Sequence, residues 1–318
     1  MPSGENSMSH QHLVVAALGG NAILPKGARG TPEEQWSTVR AAVRSLLPII
    51  DGGARLIITH GNGPQVGYLL EAMDSLPRGV PRQTLDIAVA MTQGWIGYLV
   101  QHAIYVEARK MGLSVDVAPI VSRVVVSRSD PAFVNPSKPV GRYYSREEAE
   151  RLTREKGWIF REDPRGGYRR VVPSPRPIRV LEADIIGRLS QAGIVVVGVG
   201  GGGIPVDEDM RPVEAVVDKD LASYVLAKEI GATHFIILTD VPGVALDYGT
   251  PREKWLETLD ARKALRLVEE GIFPPGSMGP KVEAATRFAL ETGGFAAIGK
   301  LEEAYDIYTG KAGTRIVV

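Results

Sequence analysis

Three short apolar runs of this 318-residue chain each end in a glycine-rich turn. The runs cover residues 13–18, 56–59 and 194–199, and the turns read GGNA at 19–22, HGNG at 60–63 and GGGG at 200–203. Short buried strands that alternate with longer amphipathic segments are typical of α/β proteins with a mostly parallel sheet. The carboxyl ends of parallel strands meet at one edge, where glycine lets backbone N–H groups approach an anion. The three turns therefore predict a shared anion-binding edge.

The segments between these runs carry the signals of helices and further strands. Thr31 can cap a helix over residues 31–51, with Pro32 in its first turn and Gly52 after its end. Other helices are predicted at 65–73, 84–111, 181–191, 262–270 and 281–291 and from 218 onward, and other strands at 115–126, 214–217, 235–238 and 314–318.

The number of glycine turns indicates a ligand with several anionic groups. One such turn is common between a strand and a helix, whereas three on one edge fit ADP or ATP facing a second small anion. The chain contains neither GxxxxGK[ST] nor GxGxxG, so neither a P-loop nor a Rossmann dinucleotide site is supported.

Composition excludes several other classes. Lysine plus arginine and aspartate plus glutamate both number 37, and this zero net charge argues against nucleic-acid binding over the whole surface. Cysteine is absent, which rules out disulfides and thiolate metal sites. No apolar run approaches the ~20 residues of a membrane span, and the first twelve residues lack an apolar signal core. We expect a cytoplasmic protein with no membrane or nucleic-acid partner.

One region differs from the rest in charge. Residues 123–179 hold 14 basic and 7 acidic residues, and their prolines, glycines and aromatics predict a small appended subdomain of turns and short strands. RNA binding is one interpretation, because Arg165, Arg169 and Arg170 lie near Tyr168 and Trp158. Arginine alternates with glutamate here, however, which favours a solvated face or a lid.

Three lysines stand in unusual surroundings. Lys219 lies in VVDKDLAS where a strand passes into a helix, Lys281 follows the turn PPGSMG, and Lys138 lies in NPSKPVG of the basic region. A single lysine is usually a solvated surface group. Phosphoryl transfer, however, depends on positive charge around the transferred group, which makes these three lysines candidates for that chemistry.

The motifs of the chain resemble, in order, those of the carbamate kinases, which belong to the amino-acid-kinase family. They are GGNA, HGNGPQVG, MTQGWIGY, DPAFVNPSKPVG, PRGGYRRVVPSP, GGGGIPV, EAVVDKDLAS, ILTDV and PGSMGPK. The glycine turns alone indicate only the wider family, whereas DPAFVNPSKPVG and RRVVPSP point to carbamate kinases. The resemblance extends from about Leu13 to the C-terminus, and Tyr168 departs from it where the family motif has tryptophan.

The resemblance implies a three-layer αβα sandwich with a mostly parallel central sheet and a small protruding subdomain. The divisions it implies are an N-lobe for carbamate or carbamoyl phosphate at 13–192, an inserted lid-like subdomain at about 126–177, a C-lobe for the nucleotide at 193–318, and a polar leader at 1–12.

The resemblance also implies roles for individual residues. Lys219 and Lys281 match phosphate-stabilising lysines, Lys138 matches a lysine that reaches the active site from the subdomain, and Asp220 matches the acid that holds the lysines in place. The residues that match phosphate-binding loops are Gly19, Gly20, Asn21, Gly61, Asn62, Gly63, Gly201 and Gly202. Those that match nucleotide contacts are Thr239, Asp240, Tyr248 and Met278.

The implied reaction is reversible phosphoryl transfer between Mg-ATP and carbamate, giving ADP and carbamoyl phosphate. Carbamate already carries a charged oxygen, so no general base is required, and His60 is expected to have a structural role. Asp218 and Asp220 are expected to orient Lys219 and the metal shell. Magnesium is expected to be held mainly by nucleotide phosphates, with no dedicated protein site.

A homodimer is also implied, and the predicted helices at 65–73 and 84–111 are apolar enough to include its interface. In cells the resemblance suggests arginine or agmatine fermentation, or the supply of carbamoyl phosphate. Two alternatives remain: another kinase of the fold that acts on a carboxylate or a nucleoside monophosphate, and a non-catalytic nucleotide-binding sensor. The complete lysine set argues against a sensor, which has no need of charges used only in a transition state.

Overall fold

A computed structural model describes residues 12–318 apart from 26, 78, 164, 165 and 275. Its α-helices are α1 (Pro32–Asp51), α2 (Gly63–Asp74), α3 (Leu85–Lys110), α4 (Arg146–Lys156), α5 (Ala183–Gln191), α6 (Lys219–Glu229), α7 (Ala261–Glu269), α8 (Met278–Thr292) and α9 (Ala304–Tyr308). The polar leader at 1–12 lies outside the described residues except for its last one.

The strands of the described residues fall into four sheets. They are β1 (Leu13–Leu18), β2 (Arg55–His60), β3 (Val117–Pro119), β4 (Arg123–Val126), β5 (Lys138–Tyr144), β6 (Ile159–Glu162), β7 (Tyr168–Val172), β8 (Pro177–Val180), β9 (Val195–Val197), β10 (Ile204–Val206), β11 (His234–Thr239), β12 (Val244–Leu246), β13 (Lys254–Leu256), β14 (Thr258–Asp260), β15 (Phe295–Lys300) and β16 (Thr314–Val317).

The main sheet has eight strands in the order β14-β16-β15-β11-β1-β2-β9-β3. The six strands from β15 to β3 run parallel to one another, and β16 pairs antiparallel to β15. The predicted mostly parallel sheet is therefore confirmed. The three strands that precede the glycine turns, β1, β2 and β9, are direct neighbours, so the turns lie side by side.

Helices cover both faces of this sheet. Val15 of β1 packs in a core that includes Leu226 of α6 and Phe288 of α8. Val14 points to the opposite core, which includes Ile96 of α3 and residues of α1. Successive side chains of a strand point to opposite faces of the sheet. Because helices cover both faces, all side chains of β1 are buried. The structure thus has the predicted three layers, helices on each side of one sheet.

A small antiparallel sheet, β5-β7-β6, stands beside the main body together with α4. We refer to residues 138–172 as the small subdomain. Its strands contribute Val140 and Val172 to a separate apolar cluster with Val66 of α2 and Val89 of α3. The small subdomain therefore rests on the two helices that follow β2.

Two strand predictions were wrong in detail. The predicted strand at 115–126 is two strands in different sheets, because the chain turns at 120–122, where the Ser122 N–H donates to the Gln93 side chain over 2.7 Å. Residues 214–217 form an irregular segment outside any strand, where the Ala215 N–H donates to the Val213 carbonyl, with Ala215 and Val217 buried. The predicted helix boundaries agree with the structure to within three residues, and Thr31 caps α1 in a capping box with Glu34. The helices α4 and α9 were not predicted. The helix α4 lies in the region for which only turns and short strands were expected, and it forms because Ser145 supplies a capping box with Glu148 and Gly157 ends the helix in a left-handed conformation. Among the described residues, no helix is both long and apolar enough to cross a membrane.

Candidate active site

The three candidate lysines meet two aspartates beside the carboxyl ends of β1 and β11. Lys219 Nζ donates to Asp220 Oδ1, and Lys281 Nζ donates to Oδ2 of the same carboxylate over 2.9 Å. Lys138 Nζ donates to Asp218 Oδ2 over 3.2 Å. Three ammonium groups thus face two carboxylates, a concentration of charged hydrogen-bond donors suited to phosphate.

This cluster is largely removed from water. The Asp220 side chain is 3% exposed, and those of Lys219 and Lys281 are 12% and 14% exposed. Burial alone would raise the pKa of Asp220, but the two lysines outweigh it and lower that pKa to about 2. Burial lowers the pKa of Lys219, whereas Asp220 outweighs burial at Lys281 and raises its pKa. Asp220 is therefore ionised at neutral pH.

The sequence Asp-Lys-Asp at 218–220 forms this arrangement because a helix begins there. Asp218 is the N-cap of α6, and its Oδ1 accepts from the Asp220 N–H over 2.9 Å. Its other carboxylate oxygen stays available for Lys138. The positive end of the helix dipole adds to the potential of the lysines.

Lys138 comes from a different part of the molecule. It is the first residue of β5 in the small subdomain, and its side chain is 30% exposed. Two further contacts join the small subdomain, and Pro173 directly after it, to the segment that precedes Asp218. Arg170 of β7 forms an ion pair with Glu214, and the Val216 N–H donates to the Pro173 carbonyl over 2.9 Å.

The first two glycine turns lie against each other near the lysines. Gly19 and Gly20 line a cavity of about 280 Å³ together with Thr239, Asp240 and Lys281. Gly61 of the second turn packs on Gly20, since a Cβ built on Gly61 would lie 3.4 Å from the Gly20 nitrogen. Gly63 begins α2. Asn21 belongs to the short 3₁₀ turn Gly20–Ala22, and its side chain lies outside the described part of the chain.

The third glycine turn packs against the second turn and against the start of α6. A Cβ on Gly201 would lie 2.2 Å from Asn62 Nδ2, and a Cβ on Gly202 would lie 2.2 Å from the Val217 carbonyl oxygen. Both glycines have positive φ, at 65° and 88°. Only glycine fits these two positions. The structure thus brings the residues that were predicted from the glycine motifs to the edge that holds the lysines.

His60 lies beneath these turns and is 1% exposed. Its Nδ1 donates to the Gly61 carbonyl over 2.9 Å. Burial, together with a smaller effect of the nearby Lys219, lowers the pKa of His60 to about 4. A neutral, buried imidazole that supports the backbone of the second turn agrees with the structural role expected for it.

A cleft of about 540 Å³ adjoins the lysines on the side of β11. Thr239, Asp240, Tyr248 and Met278, the four predicted nucleotide contacts, all line it. Lys281 lines both this cleft and the cavity next to Gly19 and Gly20. A ligand in the cleft could therefore extend its charged end to the lysine cluster.

Sequence reasoning missed part of the wall of this cleft. Trp255, Ile272 and Phe273 also line it, and the Trp255 ring lies 5.9 Å from the Tyr248 ring in an edge-to-face arrangement. Aromatic and aliphatic walls suit a flat heterocycle. The available signal was the aromatic side chains that follow the motif ILTDV, but nothing in the sequence tells which of them face inward.

The described residues contain no group of three or more His, Cys, Asp or Glu side chains placed to hold a metal ion. The carboxylates of Asp218 and Asp220 are already paired with lysines. This donor set fits a divalent cation that arrives with the phosphates of a nucleotide, because phosphate and water then supply most of its ligands.

Comparisons with known proteins agree with this geometry. The model of the amino acid kinase family matches residues 12–294. The carbamate kinase of Pyrococcus furiosus is 49% identical over 309 residues, which cover 96% of this chain and 98% of the relative. The carbamate kinase of Thermococcus kodakarensis is 50% identical over 96% of this chain and 98% of its own length.

A solved structure gives the same result. The carbamate kinase of Giardia lamblia bound to AMP-PNP superimposes with a TM-score of 0.91 at 38% identity, covering 98% of this chain and 99% of that one. Identity at this level over nearly the whole of each chain shows common family membership. The chain belongs to the amino acid kinase family, in its carbamate kinase branch.

Proposed function

We propose that this protein transfers a phosphoryl group reversibly between ATP and carbamate, giving ADP and carbamoyl phosphate. The observation that carries the proposal is the convergence of Lys138, Lys219 and Lys281 on Asp218 and Asp220, between the glycine turns and the cleft. The names of the relatives and the AMP-PNP bound to the Giardia protein support the same substrates.

The chemistry requires positioned charge and no general base. In the direction of ATP synthesis, a β-phosphate oxygen of ADP attacks the phosphorus of carbamoyl phosphate, and the bond from phosphorus to the carbamate oxygen breaks. Carbamate leaves with its negative charge, so no proton has to move. Lys219 and Lys281 lie where they can stabilise the charge on the transferred group, and Asp220 keeps both ammonium groups in place.

Two anions must approach each other in this reaction. We assign the carbamoyl phosphate side to the glycine turns, through Gly19, Gly20, Asn21, Gly61, Asn62, Gly63, Gly201 and Gly202. We assign the nucleotide to the cleft lined by Thr239, Asp240, Tyr248 and Met278. Magnesium forms part of the proposal, and when bound with the nucleotide it would neutralise charge on the phosphates. Asp218 and Asp220 would orient its shell through the lysines.

The small subdomain is proposed to act as a lid that delivers Lys138, with flanking residues 126–137 and 173–177 included. It is joined to the body by the apolar cluster with Val66 and Val89 and by polar contacts, among them the Tyr144 hydroxyl that donates to Asp74 over 3.2 Å. Closure over the phosphates would exclude water and bring a third positive charge to the transferred group. The body is proposed to divide into the N-lobe at 13–192 and the C-lobe at 193–318.

The protein is proposed to form a homodimer through α3. Four large apolar side chains, Ile87, Met91, Tyr98 and Tyr105, are 42% to 60% exposed along this helix at spacings of four and seven residues. That spacing places them in one stripe, as in a helix that packs against a second copy. Light scattering should give twice the 34.3 kDa mass of the chain, and Tyr98→Glu should give the mass of the monomer.

The proposal includes a cellular setting for the reaction. A cytoplasmic location agrees with substrates such as ATP and ADP, and the relatives' activity suggests arginine or agmatine fermentation or carbamoyl phosphate supply. The other candidate, a different kinase of the fold or a nucleotide sensor, has no observation of its own in its favour.

One assay tests the proposed activity directly. The purified protein is incubated with ADP, magnesium and carbamoyl phosphate, and ATP is measured. ATP formation well above an enzyme-free control is expected. No ATP above that control would contradict the proposal, and binding of ADP without turnover would favour a sensor.

A further inference from the structure

The motif MTQG on α3 has no role in the proposal so far, yet it lies directly beneath two glycine turns. We infer that Thr92 and Gln93 are positioning residues that hold the turns at 60–63 and 200–203 in the geometry needed for phosphoryl transfer. The inference rests on the proposed function for its kinetic consequences. Its structural basis is independent of that function.

Thr92 supports the second glycine turn through the side chain of Asn62. Its hydroxyl accepts from Asn62 Nδ2 over 2.8 Å and donates to the Val89 carbonyl over 2.7 Å. Thr92 is fully buried, and Asn62 is 6% exposed. A buried amide without this acceptor would lose a hydrogen bond that water cannot replace. The orientation of Asn62 therefore depends on the Thr92 hydroxyl.

Gln93 supports the third glycine turn with both ends of its amide. Its Nε2 donates to the Gly200 carbonyl over 3.0 Å and to the Ser122 carbonyl over 3.1 Å, and its Oε1 accepts from the Ser122 N–H over 2.7 Å. Gln93 is 4% exposed. A buried amide with three hydrogen bonds to backbone atoms fixes α3, Gly200 and Ser122 relative to one another.

The turn that Gln93 holds contains backbone strain. Val199 has φ 52° and ψ 32°, a left-handed conformation that a β-branched residue rarely adopts. Ser122 secures it, because the Val199 N–H donates to Ser122 Oγ over 3.0 Å. Strain of this kind persists only where surrounding contacts determine the conformation, and it concentrates at functional sites. The Gln93–Ser122 pair supplies those contacts.

The two supported turns also touch each other. Asn62 packs on Gly201, and His60 packs on Gly200, where a Cβ would lie 2.5 Å from the ring. A shift of either side chain would therefore move the other turn as well. The adjacent residues Thr92 and Gln93 thus set the direction of backbone N–H groups in both turns, on the carbamoyl phosphate side of the site.

This placement predicts a specific kinetic effect. Loss of the supporting hydrogen bonds should raise KM for carbamoyl phosphate and lower kcat, because the turns face the transferred group. The affinity for ADP should stay within twofold, because the cleft for the nucleotide is lined by residues 239–281. A residue that served only to stabilise the fold would not separate these quantities.

The first test compares a variant that removes the Thr92 hydroxyl at constant shape with one that keeps the hydroxyl. Thr92→Val should lower kcat/KM for carbamoyl phosphate at least tenfold, and Thr92→Ser, which retains the hydroxyl, should stay within about threefold of wild type. The matched control is Thr286→Val in α8, because Thr286 is fully buried and its hydroxyl has no hydrogen-bond partner within the described residues. Thr286→Val should leave kcat/KM unchanged. Equal activity of Thr92→Val and Thr286→Val would overturn the inference.

A second pair of variants decides the matter if Thr92→Val does not fold. Gln93→Met should lower kcat at least tenfold with ADP affinity retained. Gln101→Met is its control on the same helix, because the Gln101 amide also donates to a backbone carbonyl, that of Val117 over 2.8 Å. Gln101 lies about 12 Å further along α3 than Gln93. An equal effect of both substitutions on kcat would overturn the inference.

Hydrogen exchange of the free protein separates this inference from the proposed function. The N–H groups of Gly61, Gly202 and Gly203 donate to backbone carbonyls, and Thr92→Val or Gln93→Met should speed their exchange at least tenfold. The two control variants should not. If wild type makes no ATP but exchange changes in this way, the proposed function fails and the positioning role stands. Unchanged exchange in both variants would overturn the positioning role.

Discussion

Lys281 and Lys138 bring the same chemical group to one cluster from two different regions. Lys281 lies on α8 within the three-layer body, where it is 14% exposed and shares the Asp220 carboxylate with Lys219. Lys138 lies at the edge of the small subdomain, where it is 30% exposed and meets Asp218. The first lysine is fixed by the core of the protein, and the second is fixed by a part that rests on the core.

The two lysines therefore contribute to the charge of the site in different ways. A buried carboxylate with two ammonium partners is costly to disturb, because removal of one partner leaves charge without compensation. A partly exposed ion pair contributes about 1 kcal/mol or less to stability. The positive charge on Lys219 and Lys281 is therefore present before ligands bind, whereas that on Lys138 depends on the position of the small subdomain.

The largest effect is expected from the buried lysines. Lys219→Ala and Lys281→Ala should each lower turnover about a hundredfold or more, the range for loss of one electrostatic donor to a transition state. ADP should still bind, because the walls of its cleft lie elsewhere. Steady-state ATP formation and calorimetric titration with ADP measure both quantities. A variant that keeps more than half of its turnover would remove that lysine from the mechanism.

Lys138→Ala should lower turnover strongly, but with less effect on stability than Lys281→Ala. Its ion pair with Asp218 is partly exposed, so the free energy of unfolding should change by about 1 kcal/mol or less, and ADP affinity should stay within a few-fold. Urea unfolding and ADP titration test this.

Hydrogen exchange of residues 138–172 gives the direct test of the lid. Exchange there should slow when ADP and carbamoyl phosphate are both present. A fully active Lys138→Ala variant, together with exchange that ligands do not change, would show that the small subdomain is a rigid protrusion.

The placement of the glycine turns and of Lys219 at one edge of the sheet could be predicted because it depends on local sequence. Each turn follows an apolar run that can only be a buried strand, and parallel strands bring their carboxyl ends to one edge. The N-cap at Asp218 and the helix after it also follow from residues close in sequence. The placement of Tyr248 and Met278 came from the family resemblance, and both line the cleft.

Contacts between distant segments could not be predicted in this way. The bond from Gln93 to Gly200 spans 107 positions, and neither residue has a local pattern that points to the other. The segment at 214–217 looks like a strand because three of its residues are apolar and two of them, Val216 and Val217, are β-branched. It lies instead between the small subdomain and the third glycine turn. There the Val216 N–H donates to the Pro173 carbonyl, and the Val217 backbone packs on Gly202.

Falling pH should lower the stability of the folded protein at pH values where the Asp220 carboxylate of the lysine cluster is still ionised. The pKa values of His60 and His234 are lowered to about 4 by burial, from an ordinary value of 6.5. The folded protein thus binds fewer protons than the unfolded chain between pH 6.5 and 4, so its stability falls as pH falls through that window. A fully buried histidine shifted this far contributes about 3 kcal/mol to the free energy of unfolding at neutral pH, and this contribution is lost as the pH falls below 4.

The Asp220 carboxylate, with a pKa of about 2, should stay ionised throughout this window. Urea unfolding at pH 7, 6 and 5 measures the slope, and His60→Gln should reduce it. Stability that does not change between pH 7 and 5 would contradict the shifted histidine pKa values.

The smallest effect is expected at the ion pair between Arg170 and Glu214, where the small subdomain meets the segment before Asp218. The two partners differ, because Arg170 is 7% exposed and lies 3.8 Å from the centre of the Trp158 ring, whereas Glu214 is 58% exposed. Glu214→Gln keeps an acceptor for the guanidinium and removes only a solvated charge, so stability should change by less than about 1 kcal/mol. Turnover should fall about two- to fivefold, because the segment that leads to Asp218 loses part of its attachment.

Arg170→Ala should lower both stability and turnover more than Glu214→Gln does, since it also removes the packing on Trp158. Thermal unfolding and ATP formation of the two variants compare them, and an equal loss of turnover would mean that the charge of Glu214, and not the stacking of Arg170, holds the small subdomain to the body.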